Sequence, residues 1–297
     1  MSFNIVAHRK IWFAFSGALV VGSLLAIAVF GLRFGIDFTG GSLLEIGTSQ
    51  SVDITQLRTG LSDAGYANLT IQTGGETGIL LRTGNLTEDE HQAFFQAIQT
   101  QIVDARELRF DSIGPVIGEE LRRTAILGVI LTLVLIGLYI AWAFRKVSEP
   151  IASWKYGLLT ILTAFHDVII PVGVFAVLGQ ILGWEVGTAF VAAILTILGY
   201  SINDTVVVFD RTRENLAKHV GSVFEETVEL SIKQTLMRSL NTSITTVLAL
   251  IAIFLFGGET TKPFAMALII GVAAGTYSSI FLASPFLVTW ELWTKKR

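Results

Sequence analysis

The chain has 297 residues, of which 52% are hydrophobic and only 15% charged, and its mean hydropathy is +0.64. This composition excludes an ordinary soluble protein and is typical of a chain embedded in a membrane. The lack of cysteine excludes disulfides, iron–sulfur clusters and thiolate zinc sites. A net charge of −3 gives no reason to expect nucleic acid as a partner.

Six segments are long and apolar enough to cross about 30 Å of hydrocarbon, which takes about 20 helical residues. They are residues 11–30, 125–144, 157–178, 186–209, 240–256 and 264–290. The first has the basic start of a signal peptide, but it is too long and lacks a small-x-small cleavage site, so we expect an uncleaved anchor. The fifth is the least apolar, because Asn and Thr residues in its first turns must face protein or water.

The lysines and arginines between the spans predict the orientation. If the spans alternate, the short loops on one side contain only Lys262. The cations expected on the other side are Arg9, Lys10, Arg145, Lys146, Lys155, Arg211, Arg213, Lys218, Lys233, Arg238, Lys295, Lys296 and Arg297. Since such residues accumulate in cytoplasmic loops, we expect both termini in the cytoplasm. Residues 211–238 are predicted to form an amphipathic helix on the membrane surface.

Residues 31–121 separate the first two spans, and acidic side chains outnumber basic ones there, as in a soluble domain. We expect this domain outside the cytoplasm, between residues 1–30 (the N-terminus and first span) and residues 122–297 (the other five spans). Hydrophobic patterns predict strands at 41–47, 69–73, 79–83 and 108–113 and helices at 53–64 and 87–102.

The predicted order of these elements, βαββαβ, is that of the ferredoxin-like fold. A Thr-Glu-Asp-Glu run from Thr87 fits a capping box at the second helix, and Gly74-Gly75 fits a turn. The fold class expected is therefore a polytopic α-helical membrane protein with one inserted α+β domain. Residues 31–41 are either a linker or part of the first strand.

Two carboxylates lie inside predicted spans, where an ionisable group costs about 2.5–3.5 kcal/mol on insertion scales. Asp167 is about 15 Å into the third span, and Asp204 is about 9 Å from the cytoplasmic end of the fourth, at 1.5 Å per residue. In the polar run Tyr200-Ser201-Ile202-Asn203-Asp204-Thr205, helical spacing places Tyr200, Ser201 and Asp204 on one face.

A second polar stripe begins the fifth span and contains Arg238, Asn241, Thr242 and Thr245 at helical spacing. Arg238 is long enough to extend into the bilayer, so we expect it to face Asp204. Burial and a nearby guanidinium act in opposite directions on the proton affinity of a carboxylate, so a small rearrangement can load or unload a proton. The alternative is a static ion pair that fixes helix packing.

Asp167 is a weaker candidate for the same proton path. His166 and Pro171 beside it also fit a locally broken helix, in which freed backbone groups bind polar side chains. His166 by itself is more typical of a packed, hydrogen-bonded histidine than of a proton relay.

The sequence contains no Walker A motif, H-E-x-x-H, G-x-S-x-G or dinucleotide fingerprint. We therefore expect a transport component without a catalytic site or cofactor, whose energy comes from an ion gradient or a partner.

Several segments resemble the SecD/SecF family of the bacterial Sec protein translocase, within the resistance–nodulation–division superfamily. They are Phe34-Gly-Ile-Asp-Phe-Thr-Gly-Gly41, Gly114-Pro-Val-Ile-Gly118, Phe165-His-Asp167, the block from Gly199 to Asn215, and Arg238-Ser-Leu-Asn-Thr-Ser243. The resemblance extends over essentially the whole chain.

The resemblance implies that the six spans pair with six spans of SecD in the inner membrane, beside the SecYEG channel. It implies that proton-motive force promotes export of a preprotein, with protons as the coupling ion. It assigns proton passage to Asp204 and Arg238, and it implies a further carboxylate from SecD. Two other functions stay open: a small-molecule or lipid exporter of the same superfamily, disfavoured by the small outer domain, and a subunit that only assists assembly.

Overall fold

The computed structural model describes residues 4–67, 69–74, 78–145 and 151–295. Gly75 of the predicted turn, and Lys146, Lys296 and Arg297 of the orientation prediction, lie outside the described residues. The chain forms two units. One unit comprises Arg33–Ile126 and Glu185–Thr188 and is named the outer unit after the location expected for it. The helical unit comprises Met1–Leu32, Leu127–Trp184 and Ala189–Arg297.

The described secondary structure alternates between these units along the chain. The helices are α1 (Arg9–Phe30), α2 (Ile36–Thr39), α3 (Ile54–Asp63), α4 (Glu88–Gln101), α5 (Pro115–Ala143), α6 (Ser153–Ile181), α7 (Thr188–Ala217), α8 (Phe224–Phe256), α9 (Lys262–Ser278) and α10 (Ser284–Lys295). A 3₁₀ turn (Glu259–Thr261) precedes α9, and a π-helix (Ser279–Ala283) joins α9 to α10. The strands are β1 (Gly41–Gly47), β2 (Thr70–Gly74), β3 (Gly78–Thr83) and β4 (Arg106–Ile113).

The outer unit has one antiparallel sheet in the order β2-β3-β1-β4, which confirms the inserted α+β domain with the ferredoxin-like order. Alternate residues of β1, such as Leu44 and Ile46, are buried with Leu57 and Leu61 of α3 and Phe94 of α4 in a single apolar cluster. Burying each such side chain contributes about 1.5–3 kcal/mol. This cluster is therefore the core that orders the domain without disulfides.

The helices α3 and α4 each begin at a residue whose side chain caps the helix, and the cap of α4 is the predicted one. The Asp53 carboxylate accepts hydrogen bonds from the backbone N–H groups of Thr55 and Gln56. At α4, the Thr87 hydroxyl accepts from the Glu90 N–H, and the Glu90 carboxylate accepts from the Thr87 N–H at 2.8 Å, which completes the capping box. These bonds satisfy N–H groups that have no partner within the helix.

The segment before β1 is neither a simple linker nor an extension of the strand, because residues 36–39 form the short helix α2. Gly40 and Gly41 follow with φ of 72° and 123°, a region that favours glycine. A Cβ at Gly40 would lie 2.7 Å from the Pro115 Cα, and one at Gly41 would lie 2.8 Å from the Thr83 carbonyl oxygen. The glycine pair is thus required by this turn.

The loop before α7 belongs to the outer unit. The Asp37 carboxylate accepts hydrogen bonds from the Thr188 N–H at 2.6 Å and the Thr188 hydroxyl at 2.7 Å, so it caps the start of α7. Arg82 forms an ion pair with Glu185. Burial lowers the pKa of Arg82 to about 10, although the nearby Asp37 carboxylate acts to raise it. Arg82 therefore remains charged at neutral pH.

Six helices of the described chain are long and apolar enough to cross a membrane, which confirms the six predicted spans. Half or nearly half of the most apolar window is buried in α6, in α7 and in the last span (Glu259–Lys295), whereas α1, α5 and α8 bury much less. Large apolar side chains on the peripheral helices, such as Val29 and Leu138, are exposed. An exposed apolar surface of this kind suits contact with lipid.

The prediction of one amphipathic helix over residues 211–238 is wrong. The segment contains the end of α7 and the beginning of α8, separated by a turn at which His219 (φ 53°) and Gly221 (φ 96°) leave the helical conformation. The charged periodicity arises because both long helices continue past their apolar parts and carry ion pairs at i,i+3 and i,i+4 spacing, such as Arg211–Glu214 and Lys233–Glu229.

Candidate functional site

Asp204 lies on α7, where its half-buried carboxylate accepts two hydrogen bonds from hydroxyl groups of other segments. Oδ1 accepts from Ser239 Oγ on α8, and Oδ2 accepts from Ser279 Oγ, at 2.5 Å, on the π-helix of the last span. Both donors are neutral. The site therefore holds a carboxylate in a helix of membrane-spanning length with hydroxyl groups as its partners.

The predicted contact between Asp204 and Arg238 is not made. Arg238 precedes Ser239 on α8, and its side chain is exposed, whereas Ser239 is buried and binds Asp204. Successive residues of a helix point about 100° apart, so one residue of this pair faces α7 and the other does not. Among the described residues, Asp204 has no ion pair within 4 Å.

Asp167 is fully buried on α6, with 0% of its surface exposed, and binds three side chains. Its Oδ2 accepts from Ser201 Oγ on α7 and from Ser278 Oγ, at 2.7 Å, on α9. Its Oδ1 lies 2.8 Å from His166 Nδ1. His166 Nε2 is buried and has no hydrogen-bond partner in the described part of the chain.

The locally broken helix considered for Asp167 is not present. Helix α6 continues through Pro171 to Ile181, and the Asp167 carboxylate binds side chains rather than backbone groups freed by the proline. Asp167 therefore joins α6 to α7 and α9 by hydrogen bonds. Its role in proton passage remains a prediction.

The polar residues of α7 contact three different helices. Tyr200 donates its hydroxyl to Ser243 of α8 at 3.2 Å, Ser201 binds Asp167 of α6, and Asp204 binds Ser239 and Ser279. Tyr200 and Asp204 thus both contact α8, and Asp204 also contacts the last span, whereas Ser201 turns toward α6.

The other predicted supporting residues are exposed on this chain: Asn203 on α7 and Asn241 and Thr242 on α8. The Thr242 hydroxyl donates to the Arg238 backbone carbonyl at 2.9 Å, which satisfies it within its own helix. Such bonds explain how threonines are tolerated at exposed positions of a span. The bond uses only the backbone of Arg238, and the guanidinium of Arg238 remains exposed.

Sequence reasoning missed Ser239, Ser278 and Ser279, which donate to the two carboxylates. Serines are common packing residues in membrane helices, so a single serine gives no signal. The available signal was the polar run Thr276-Tyr277-Ser278-Ser279 within an otherwise apolar span. Nearby, Gly275 lets α9 approach α7, since a Cβ there would lie 2.8 Å from Ser201 Cβ.

Residues 94–293 match the family model "Protein export membrane protein SecD/SecF, C-terminal", and residues 25–52 match the model "SecD/SecF GG Motif". The chain belongs to the SecD/SecF family. The second match includes the glycine pair at Gly40 and Gly41 and the Asp37 that caps α7. The family models thus cover both the inserted domain's first turn and the helices that carry Asp167 and Asp204.

Family members are similar to this chain over nearly its full length. A protein translocase subunit SecF of Thermobaculum terrenum is 40% identical over 97% of this chain and 94% of that protein. The SecF of Anaerolinea thermophila is 39% identical with the same coverage. The chain is therefore a transport component of the SecF type, and its six apolar helices indicate a multi-pass protein of the inner membrane.

A solved relative has the same fold. The crystal structure of SecDF from Thermus thermophilus, described as a translocon-associated membrane protein, matches with a TM-score of 0.86 and 34% identity over 99% of this chain. This chain spans 39% of the length of that SecDF chain.

Proposed function

We propose that this chain pairs with a SecD subunit beside the SecYEG channel and uses the proton-motive force to promote export of preproteins across the inner membrane. Asp204 is the group that takes up and releases the proton. The observation that carries this proposal is the half-buried Asp204 carboxylate, held on α7 by the hydroxyls of Ser239 and Ser279.

Hydroxyl partners suit a carboxylate that changes its charge. A hydroxyl donates to an ionised carboxylate and accepts from a protonated one, so the contacts of Asp204 can be kept in both states. A fixed cation at the same distance would favour only the ionised state. The hydroxyl environment of Asp204 therefore supports proton exchange better than the static ion pair does.

The surface around Arg238 supports a SecD partner. Arg238, Asn241 and Asn203 are exposed on helices long and apolar enough to cross a membrane, where contact of charged or amide groups with lipid is costly. A second set of spans that covers this surface removes that cost and brings further polar groups to it. Arg238 then acts on the proton path within the complex, and the chain alone does not conduct protons usefully.

The proposal places both termini in the cytoplasm and the outer unit on the opposite side, where exported polypeptide emerges. Cations between the spans support this orientation, with Arg211, Arg213, Lys218 and Lys233 in or beside the turn between α7 and α8. Proton movement through the spans thus supplies energy to a protein whose folded outer unit can contact the emerging preprotein.

The test is preprotein export into vesicles that contain the chain and SecD, with and without a proton gradient. Asp204→Asn and Arg238→Met are compared with wild type at matched amounts of assembled complex. Both variants are expected to lose the gradient-dependent part of export and to keep the remainder. Asp210→Asn is the matched control, since Asp210 lies on the same helix but is exposed and paired with Arg213.

Gradient-dependent export at the wild-type level in Asp204→Asn would reject proton coupling through this residue. It would then favour the assembly role, in which the chain stabilises its partners and passes no protons.

A further inference from the structure

Four consecutive polar residues of the last span, Thr276 to Ser279, each bind a different helix. The partners are Ser243 of α8 for Thr276, Trp12 of α1 for Tyr277, Asp167 of α6 for Ser278 and Asp204 of α7 for Ser279. Ser278 and Ser279 are both fully buried. One turn of the last span is therefore the point at which both carboxylates are joined to the rest of the bundle.

The backbone changes its helix type at the same place. Ser278 is the last residue of α9, and residues 279–283 are π-helical before α10 begins. A π-helical turn carries one extra residue, and such turns occur mostly as single insertions within α-helices, frequently at functional sites. Because neighbouring helical residues point about 100° apart, Ser278 and Ser279 reach carboxylates on two different helices.

Each of these serine hydroxyls has two acceptors within reach. Ser279 Oγ lies 2.5 Å from Asp204 Oδ2 and 3.0 Å from the Thr276 carbonyl oxygen. Ser278 Oγ lies 2.7 Å from Asp167 Oδ2 and 3.1 Å from the Gly275 carbonyl oxygen. A hydroxyl carries one hydrogen, so it can donate fully to only one of the two acceptors.

The charge of the carboxylate decides which acceptor is used. An ionised carboxylate is the stronger acceptor and takes the hydroxyl hydrogen. When the gradient supplies a proton to the carboxylate, the acid O–H donates to the serine oxygen, and the hydroxyl hydrogen turns to the backbone carbonyl of its own helix. No bond other than these hydrogen bonds is exchanged, and the proton stays on the carboxylate.

We propose that Ser278 and Ser279 form a hydroxyl switch that converts the protonation of Asp167 and Asp204 into a change of hydrogen bonding at the π-helical turn of the last span. This inference rests on the proposed function, in which Asp204 changes its protonation, and on the prediction that Asp167 does so as well. The two serines are positioning residues, since they act through the carboxylates.

Other ionisable groups on the surrounding helices bear on the same switch. They are His166 on α6, Tyr200 on α7, Arg238 on α8 and Tyr277 on α9. Of these, His166 binds Asp167 directly, and Tyr200 and Tyr277 bind hydroxyl or carbonyl groups. Arg238 is exposed and binds neither carboxylate in this chain. Ser279 is thus the group through which Asp204 contacts the last span, and Ser278 is the one through which Asp167 does.

The test is infrared spectroscopy of the full chain, reconstituted with SecD in liposomes and titrated with pH. The carboxylic-acid band that disappears in Asp204→Asn belongs to Asp204. Ser279→Ala is expected to shift the midpoint of that band's titration by about one pH unit, because Asp204 loses one of its two hydroxyl partners. Ser279→Thr keeps a hydroxyl and is expected to restore the wild-type midpoint.

The matched control is Ser284→Ala, which removes a buried serine hydroxyl at the start of α10 that contacts the Ser279 backbone and neither carboxylate. It is expected to leave the Asp204 band unchanged. If Ser279→Ala does not assemble, Ser279→Cys replaces it, since a thiol of similar size is a weak donor.

The outcomes separate the two proposals. An Asp204 band that titrates in the same way in wild type and in Ser279→Ala would overturn the switch and leave the proposed function intact. The absence of any acid band that depends on Asp204, across the whole pH range, would reject both proposals. A shift in Ser279→Ala that Ser284→Ala reproduces would also overturn the switch, because the effect would be unspecific.

Discussion

In the outer unit the sheet and the helices α3 and α4 enclose apolar side chains, and among its described residues the buried polar groups are few, such as Ser42 and His91. In the helical unit the surface carries large apolar residues, while the interior contains Asp167 and a series of buried serines and threonines. The first arrangement is that of a protein in water, and the second is that of a protein in lipid. Polar groups that lie inside the helical unit therefore need a structural or functional reason, which polar groups on the outer unit do not.

From this comparison we expect the stability of the outer unit to depend on its buried apolar side chains. Phe94 is fully buried and packs on Tyr66 with ring centroids 4.7 Å apart. Phe94→Ala is expected to lower the free energy of unfolding of the outer unit by about 3–5 kcal/mol. Limited proteolysis in denaturant, on the full chain in detergent, measures this loss. Phe95→Ala removes a half-buried neighbour and serves as control, and equal losses in both variants would contradict the description of the core.

In the helical unit we expect stability to depend instead on a buried hydrogen-bond acceptor, the Asp167 carboxylate. Asp167→Leu is expected to lower stability by about 1–3 kcal/mol for each buried donor that it leaves without a partner. Asp167→Asn retains an oxygen that accepts from Ser201 and Ser278, so its effect is expected to be smaller. The melting temperature of the purified complex compares the two. A Leu variant as stable as wild type would show that helix packing does not depend on these hydrogen bonds.

A smaller effect is expected at the surface of the outer unit. Thr87→Ala removes the side-chain acceptor of the capping box and is expected to cost about 1 kcal/mol. Hydrogen exchange at the first turn of α4 measures it locally. Thr100→Ala is the control, because its hydroxyl binds only the Ala97 carbonyl on the exposed side of the same helix. Exchange that is equally fast in both variants would argue against the cap.

The capping box also makes a prediction about pH. The hydrogen bond from the Thr87 backbone N–H, followed by that from the Thr87 hydroxyl, lowers the pKa of Glu90. The folded outer unit therefore binds a proton at Glu90 less readily than the unfolded chain, so this contribution is present above the unfolded pKa and disappears as the pH falls through the folded pKa. Glu90→Gln is expected to flatten the acid side of the stability profile, and an unchanged slope would exclude the contribution.

The sequence is sufficient to predict the six spans, the βαββαβ order and the capping box at Thr87, because each depends on local periodicity or on a short pattern. The length of α8 was underestimated, since hydropathy recognises only its apolar part and the preceding charged turns read as a separate surface helix. Asp167 and Asp204 were identified because a carboxylate in a span is expensive. The prediction that Arg238 faces Asp204 is wrong, because the next residue, Ser239, takes that position. Residue spacing alone does not fix how a helix is rotated about its axis against its neighbour. The serines that bind the carboxylates have no local signature, and their role depends on which helices meet.

The most direct test of proton passage through Asp204 is proton flux through the purified complex of this chain with SecD in liposomes, driven by an imposed membrane potential. We expect potential-driven proton uptake in wild type and in Asp210→Asn, and its loss in Asp204→Asn with the complex still assembled. Equal proton uptake in Asp204→Asn and in wild type would show that protons do not pass through Asp204 and would contradict the proposed mechanism.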